Sequence, residues 1–260
     1  MDLQLQGKSV LITGASQGIG EGLALAFAQE GSHLRLVARS ESKLEGIARR
    51  VRSEHGVSAE ILPLDITAPA AVEKIMAFAG DADVLINNAG SIPGGNLWDV
   101  DERLWRSGWE LKVFGYINLI RAMYPVMKAR REGVILNNIG NGGENFDFNY
   151  IAGSTGNAAL MAFTRALGGK SLEDGIRVVG VNPGPVATDR IVKILKTRAR
   201  QSLGNEARFA ELLKSYPLGR AAHVQEVADL FVFLASPRSG YTSGTIITID
   251  GGMTSKRSIT

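Results

Sequence analysis

The chain has 260 residues, 45% hydrophobic and 21% charged, which is ordinary globular usage and excludes a disordered or fibrous protein. Its 29 basic and 26 acidic residues leave a net charge of +3 with no basic run, so the charge pattern points to neither nucleic acid nor a membrane surface. With no cysteine there are no disulfides, thiol nucleophiles or cysteine-held metals, and His33, His55 and His223 are too scattered to form a ligand set, so no metal is expected.

Seven β-branched and leucine-rich runs read as strands: 9–13 (SVLIT), 33–38, 59–64, 83–87, 133–137, 176–181 and 245–249. Between them apolar residues recur at helical spacing, as at Ile19, Leu23, Ala26 and Phe27. The same holds at Val72, Ile75, Met76 and Ala79, where Pro69 suits a first helical turn after Thr67. A long helix is expected from near Asp101, with Trp105 and Trp109 one turn apart and Phe114, Ile117 and Leu119 beyond them as packing residues. Alternating strands and helices imply right-handed βαβ units, hence an α/β fold: one doubly wound Rossmann-type domain over 1–260, with a seven-stranded parallel sheet covered by helices on both faces. Residues 187–221 interrupt the alternation with two amphipathic patterns around Gly204. An insertion after a strand's carboxyl end lies over the ligand crevice of such a sheet, so it reads as a substrate lid. No charged and apolar leader opens the chain and no apolar stretch reaches the ~18 residues of a membrane span, so a soluble cytoplasmic protein is expected.

Directly after the first strand comes Thr13-Gly14-Ala15-Ser16-Gln17-Gly18-Ile19-Gly20. A glycine turn between strand and helix lets backbone amides and the positive end of the helix dipole face a diphosphate, with no Cβ in the way. The spacing of Gly14, Gly18 and Gly20 resembles the fingerprint of the short-chain dehydrogenase/reductase family. Asp65 after the third strand, Asn87-Asn88-Ala89-Gly90 after the fourth, Asn182-Pro183-Gly184 after the sixth and Asp250-Gly251-Gly252 after the seventh extend the resemblance over residues 7–252. It implies a nicotinamide-dependent oxidoreductase acting on a carbonyl or alcohol, or on an activated double bond. Its cofactor would be bound by Gly14, Ser16, Gln17, Gly18, Ile19, Gly20, Arg39, Asp65, Ile66, Asn88, Ala89, Gly90, Pro183, Gly184, Val186 and Thr188. At the end of the second strand, Ala38-Arg39-Ser40 lacks the carboxylate that binds a ribose 2′-hydroxyl, and the Arg39 guanidinium suits a 2′-phosphate. NADP is therefore favoured over NAD, although Gln17 adds no second basic contact.

The family's catalytic asparagine, serine, tyrosine and lysine fall, by the same resemblance, on Lys112, Gly140, Gly153 and Asn157. All four depart from the pattern. Two readings follow. In one the chemistry is rebuilt: lysine and asparagine have exchanged helices, and Tyr150, three residues before Gly153, is the proton donor beside the Lys112 ammonium and the Asn157 amide, with Glu144 and Ser154 as weaker candidates. In the other the site is catalytically silent and the protein is a cofactor sensor or scaffold. The lid, with Ile191, Ile194, Leu195, Leu203, Phe209, Leu212 and Leu213 among Lys193, Lys196, Arg198 and Arg200, suits a small-molecule substrate with an apolar body and an anionic handle. By resemblance, a homodimer or homotetramer is expected through the long helix and the helix of Leu160, Phe163 and Leu167.

Overall fold

Every run expected to be extended is a strand in a computed structural model, which describes residues 1–256. The strands are β1 (Ser9–Thr13), β2 (His33–Ala38), β3 (Ala59–Pro63), β4 (Val84–Asn87), β5 (Gly133–Asn138), β6 (Ile176–Pro183) and β7 (Thr245–Ile249). All pair in parallel, in the order β3-β2-β1-β4-β5-β6-β7. The order reverses between β1 and β4, and the crevice at such a reversal, beyond the carboxyl ends of the strands, is where ligands bind in open α/β sheets.

Alternation along the strands divides the core. Val10, Ile12, Leu34, Leu36 and Ile86 face the layer of α1 (Ile19–Gln29), α2 (Glu41–His55) and the late helix Val224–Ala235, which contributes Phe231. Leu11, Val37, Leu85, Ile135 and Val178 face α3 (Ala71–Ala79), through Ile75 and Ala79, and the long helix, through Leu119, Met123 and Met127. The central strands are buried on both faces, β6 at all eight positions.

The helix expected from Asp101 is not continuous. It runs as α4 (Glu102–Trp109), a π-helical turn Glu110–Phe114, and α5 (Gly115–Arg130). Pro69 lies outside α3, because Ala70 turns the chain at φ +58° before the helix begins. The remaining helices are α6 (Ile151–Ser171), α7 (Asp189–Leu203), the single turn α8 (Phe209–Leu212) and α9 (Val224–Ala235). Gly204, at φ +70°, ends α7, and segment 187–221 returns to the sheet where Ala187 N donates to Ala222 O (2.8 Å) and Ala222 N donates to Pro185 O (2.9 Å). Its two ends are thus tied by one short parallel bridge. No helix among the described residues is long and apolar enough to cross a membrane.

Candidate active site

The turn between β1 and α1 is shaped by close approaches. A Cβ on Gly14 would lie 2.7 Å from the Ala89 Cα, and one on Gly20 would collide with the Gly14 carbonyl. The turn is fastened to the β4 end: Thr13 Oγ1 accepts from the amides of Asn88 (3.0 Å) and Ala89 (3.1 Å), and Asn88 Nδ2 donates to the carbonyls of Thr13 (3.0 Å) and Gly14 (3.1 Å). Asn138 fixes the other end of that amide, its Nδ2 donating to Asn88 Oδ1 at 2.7 Å. Gly18 is the N-cap of α1, and no side chain caps this helix start, beside which lie Ser16, Gln17 and Ile19. Thr188 arches over it, its Cγ2 3.2 Å from where a Gly18 Cβ would be. Pro183 ends β6, Gly184 N donates to Ile249 O (3.0 Å), and Val186 forms the lid-base bridge to Ala222. Together these groups frame a cleft with free amides at one wall, the geometry a diphosphate fits.

At one end of the cleft stand Arg39, exposed beyond β2, and Asp65, just beyond β3, with Ile66 packed against Gly115 of α5. Asp65 Oδ1 accepts from Thr67 N (3.0 Å) and Oγ1 (2.8 Å); these bonds, with the Arg39 charge, hold its carboxyl below the usual range. Sequence reasoning missed Lys43. From the first turn of α2 its Nζ donates to Gln17 Oε1 at 2.7 Å, so a second cation stands beside Gln17 after all. Its position three residues past the Ser40 N-cap, one turn into a helix that starts at this strand end, was the available signal.

At the other end, three side chains converge on residues 139–142. Lys112, on the π-helical turn, donates its ammonium to the Ile139 carbonyl. Burial, reinforced by the Arg190 charge, lowers its pKa to about 7. Asn157, buried in α6, holds its Nδ2 3.3 Å from where a Cβ of either Gly140 or Gly142 would be, while its Oδ1 has no hydrogen-bond partner. Gly140 is at φ +117°, a backbone region where a side chain is strained. Tyr150 is not within a helical turn of α6 but is its N-cap, at φ −139°. Its ring folds back between Gly142, whose Cβ position is 3.5 Å from Cδ1 and Cε1, and Gly153, whose Cβ position has three ring atoms within 2.5 Å. The phenol therefore fills the room that a side chain at 153 would need. Among the described residues no hydrogen bond joins Tyr150, Lys112 and Asn157 to one another; the 139–142 backbone joins them.

The weaker candidates are engaged elsewhere. Glu144 accepts from Thr248 Oγ1 (2.7 Å), and Ser154 Oγ accepts from Asp147 N (3.3 Å). Trp105 and Trp109 pack as expected, with Trp109 Nε1 donating to the Ala152 carbonyl (3.0 Å), whereas Phe114 is exposed. Segment 187–221 reaches the site twice. Arg190 of α7 donates to the Gly90 carbonyl (3.4 Å), and Arg198 pairs with Asp147 (3.6 Å).

Comparison with known proteins gives a consistent result. A family model described as "Enoyl-(Acyl carrier protein) reductase" matches residues 14–254. The oxidoreductase UcpA of Salmonella typhimurium is 35% identical over 263 residues, covering 98% of both chains. Dehydrogenase/reductase SDR family member 6 of Rattus norvegicus is 31% identical, covering 96% of this chain and 98% of its own. Among solved structures, L-sorbose reductase from Gluconobacter frateurii, complexed with NADPH and L-sorbose, superposes with a TM-score of 0.90 at 33% identity, covering 99% of this chain and all of that one.

Proposed function

The chain belongs to the short-chain dehydrogenase/reductase family, and from that premise we propose that it is an NADPH-preferring oxidoreductase of a carbonyl or alcohol, or of an activated double bond, working through a relocated set of catalytic groups. The observation that carries this reading is the Tyr150 ring seated against Gly153: the missing side chain at 153 leaves a slot, and a phenol occupies it.

The cofactor reading is supported by the amide-lined turn, the uncapped start of α1 and the orphaned Oδ1 of Asn157, an acceptor suited to a ribose hydroxyl. Gly14, Ser16, Gln17, Gly18, Ile19 and Gly20 would take the diphosphate. Asp65 and Ile66 would border the adenine, Arg39 and Lys43 would pair with a 2′-phosphate, and Asn88, Ala89, Gly90, Pro183, Gly184, Val186 and Thr188 would line the nicotinamide end. When bound, the reduced nicotinamide supplies a hydride. Tyr150 then gives a proton to the oxygen of the carbonyl being reduced. The Lys112 ammonium adds positive potential at the 139–142 segment, which favours release of that proton, and the Asn157 amide holds the ribose. Segment 187–221 acts as a lid that excludes water as it closes over the substrate. The solvent-facing Phe114 of the π turn, which lines an apolar depression of about 870 Å³ with Leu97, Trp98 and Trp105, and the exposed Val126 of α5 suit assembly into a homodimer or homotetramer.

The test is a fluorescence titration with NADPH and NADH followed by a carbonyl panel at saturating cofactor. Tighter binding of NADPH and turnover of at least one carbonyl are expected. NADPH binding without turnover across the panel would favour a sensor or scaffold, and binding of neither nucleotide would overturn both readings.

A further inference from the structure

Two cations meet at Gly90. The aliphatic chain of Lys112 runs along it, with Cδ 2.9 Å from where a Cβ of Gly90 would be, and the Arg190 guanidinium reaches its carbonyl from the first turn of α7. Among the described residues no carboxylate forms an ion pair with either, whereas the next lid guanidinium toward the site, Arg198, is neutralised by Asp147. Arg190 also breaks a local rule. The first turn of a helix disfavours positive charge, and the Thr188 N-cap side chain does not cap α7, so its free amides add to the positive field. Two like charges without an ion-pair partner, the Arg190 charge adding to burial in pushing Lys112 toward its neutral form, gain most from an anion placed between them.

Given the oxidoreductase reading above, on which this rests, we infer that Arg190, with Lys112 beside it, forms a subsite for the carboxylate of the substrate, making the preferred substrates 2-oxo or 3-oxo acids. Gly90 lies at the β4 end, next to the Ile139 carbonyl that Lys112 also touches. Lys112 links the two places, its chain passing Gly90 and its ammonium ending at Ile139, immediately before the Gly140–Gly142 segment that the Tyr150 ring adjoins, so a carboxylate held at Gly90 suits a carbonyl only one or two carbons away. The cofactor diphosphate has its own amide-lined turn at Gly14–Gly20.

The experiment compares 2-oxohexanoate and 3-oxohexanoate with their methyl esters on the wild type, Arg190→Leu and Arg190→Lys, and titrates unreactive hexanoate into the enzyme–NADPH complex by nicotinamide fluorescence. The acids should exceed their esters at least 30-fold in kcat/KM. Arg190→Leu should collapse that ratio at least tenfold, through KM, and weaken hexanoate tenfold, while Arg190→Lys keeps part of both. Arg190-dependent hexanoate binding with no turnover of any compound would sink the catalytic reading and leave the anion subsite standing. Equal treatment of acids and esters, together with hexanoate binding indifferent to Arg190, overturns the inference. So does a tenfold weaker NADPH affinity in Arg190→Leu with acid-over-ester discrimination intact, since the guanidinium would then serve the diphosphate.

Discussion

Gly153→Ala separates the proposed role of Tyr150 from the integrity of the fold. Three ring atoms of Tyr150 lie within 2.5 Å of the position the new methyl would take. Carbon–carbon separations settle near 3.5 Å or more, so the nearest ring atom, Cζ at 1.9 Å, must retreat by about 1.6 Å. Cζ carries the hydroxyl, so the clash displaces the proton-donating group itself. A displacement of that size costs roughly 100-fold in turnover where a reacting group must be aligned. Gly153 is in the first turn of α6, where alanine improves helix propensity by up to about 1 kcal/mol. That gain offsets part of the cost of moving the ring, and the melting temperature should stay within about 4 °C of the wild type. The glycine turn and Arg39 are untouched, so the Kd for NADPH should change by no more than about threefold, a shift of well under 1 kcal/mol. The assay is steady-state reduction of the best carbonyl found, with NADPH titration and thermal melting in parallel and Tyr150→Phe as the comparator that removes only the hydroxyl. Turnover within about threefold of wild type in either variant would refute Tyr150 as proton donor.

Arg39→Asp should remove the preference for NADPH, raising its Kd about 100-fold with little change for NADH, since a charge-assisted bond of ~1.5–3 kcal/mol is replaced by repulsion; a titration of both nucleotides reads this out. Lys112, held at about pKa 7 by burial and by Arg190, is a group whose pKa rises on unfolding. Between about pH 7 and 10 the unfolded chain binds more protons, so this group's contribution to stability grows with pH. Denaturant unfolding should show the wild type gaining on Lys112→Met by up to ~1.4 kcal/mol per pH unit in that window and by nothing below pH 6. Arg177, buried in β6, donates to the carbonyls of Leu234 (2.6 Å), Ala235 (2.9 Å) and Ser236 (3.1 Å) at the end of α9, and burial pulls its pKa down to about 10. Arg177→Met strands those acceptors and should cost about 3–5 kcal/mol, seen as a melting drop of about 10 °C. Gly140→Ser, which writes the family residue back, should lower stability by about 1–3 kcal/mol and leave turnover no higher, because φ +117° is strained for any side chain.

The sheet was legible because each strand is a short β-branched run bounded by turn residues, and burial of β4 and β6 on both faces leaves no other place for such runs. The cofactor turn was legible because close approach of backbones admits only glycine at Gly14. What the sequence concealed is mostly backbone path. Nothing in Glu110–Phe114 (ELKVF) announces a π turn, since it contains neither Gly nor Pro; it is visible only in the hydrogen-bond ladder, which takes an extra residue between α4 and α5. Tyr150 was found as a candidate, but not its N-cap conformation, which depends on Gly95 pairing with it: Ile151 N donates to Gly95 O at 3.3 Å, and Gly95 N to Asn149 O at 2.7 Å. That is a contact across more than fifty residues. Lys43 escaped because helix phase, not sequence distance, brings it to Gln17.

Under the proposed placement of the family's catalytic positions at Lys112, Gly140, Gly153 and Asn157, the changes fit one another in a way that independent losses do not explain. Removing a serine side chain would leave the backbone at position 140 in an ordinary conformation, but here it has moved to a region open only to glycine. Removing a tyrosine would leave a void beside α6, but here another tyrosine fills it. Losing a lysine from α6 would leave no cation at the β5 end, but a lysine from the π turn reaches the Ile139 carbonyl in its place. Each change creates the space or the charge that another one uses. Under the proposed roles, a buried lysine, whose desolvation is costly without a compensating task, and a phenol seated in the gap at Gly153 are the physical argument that the cleft moves a proton.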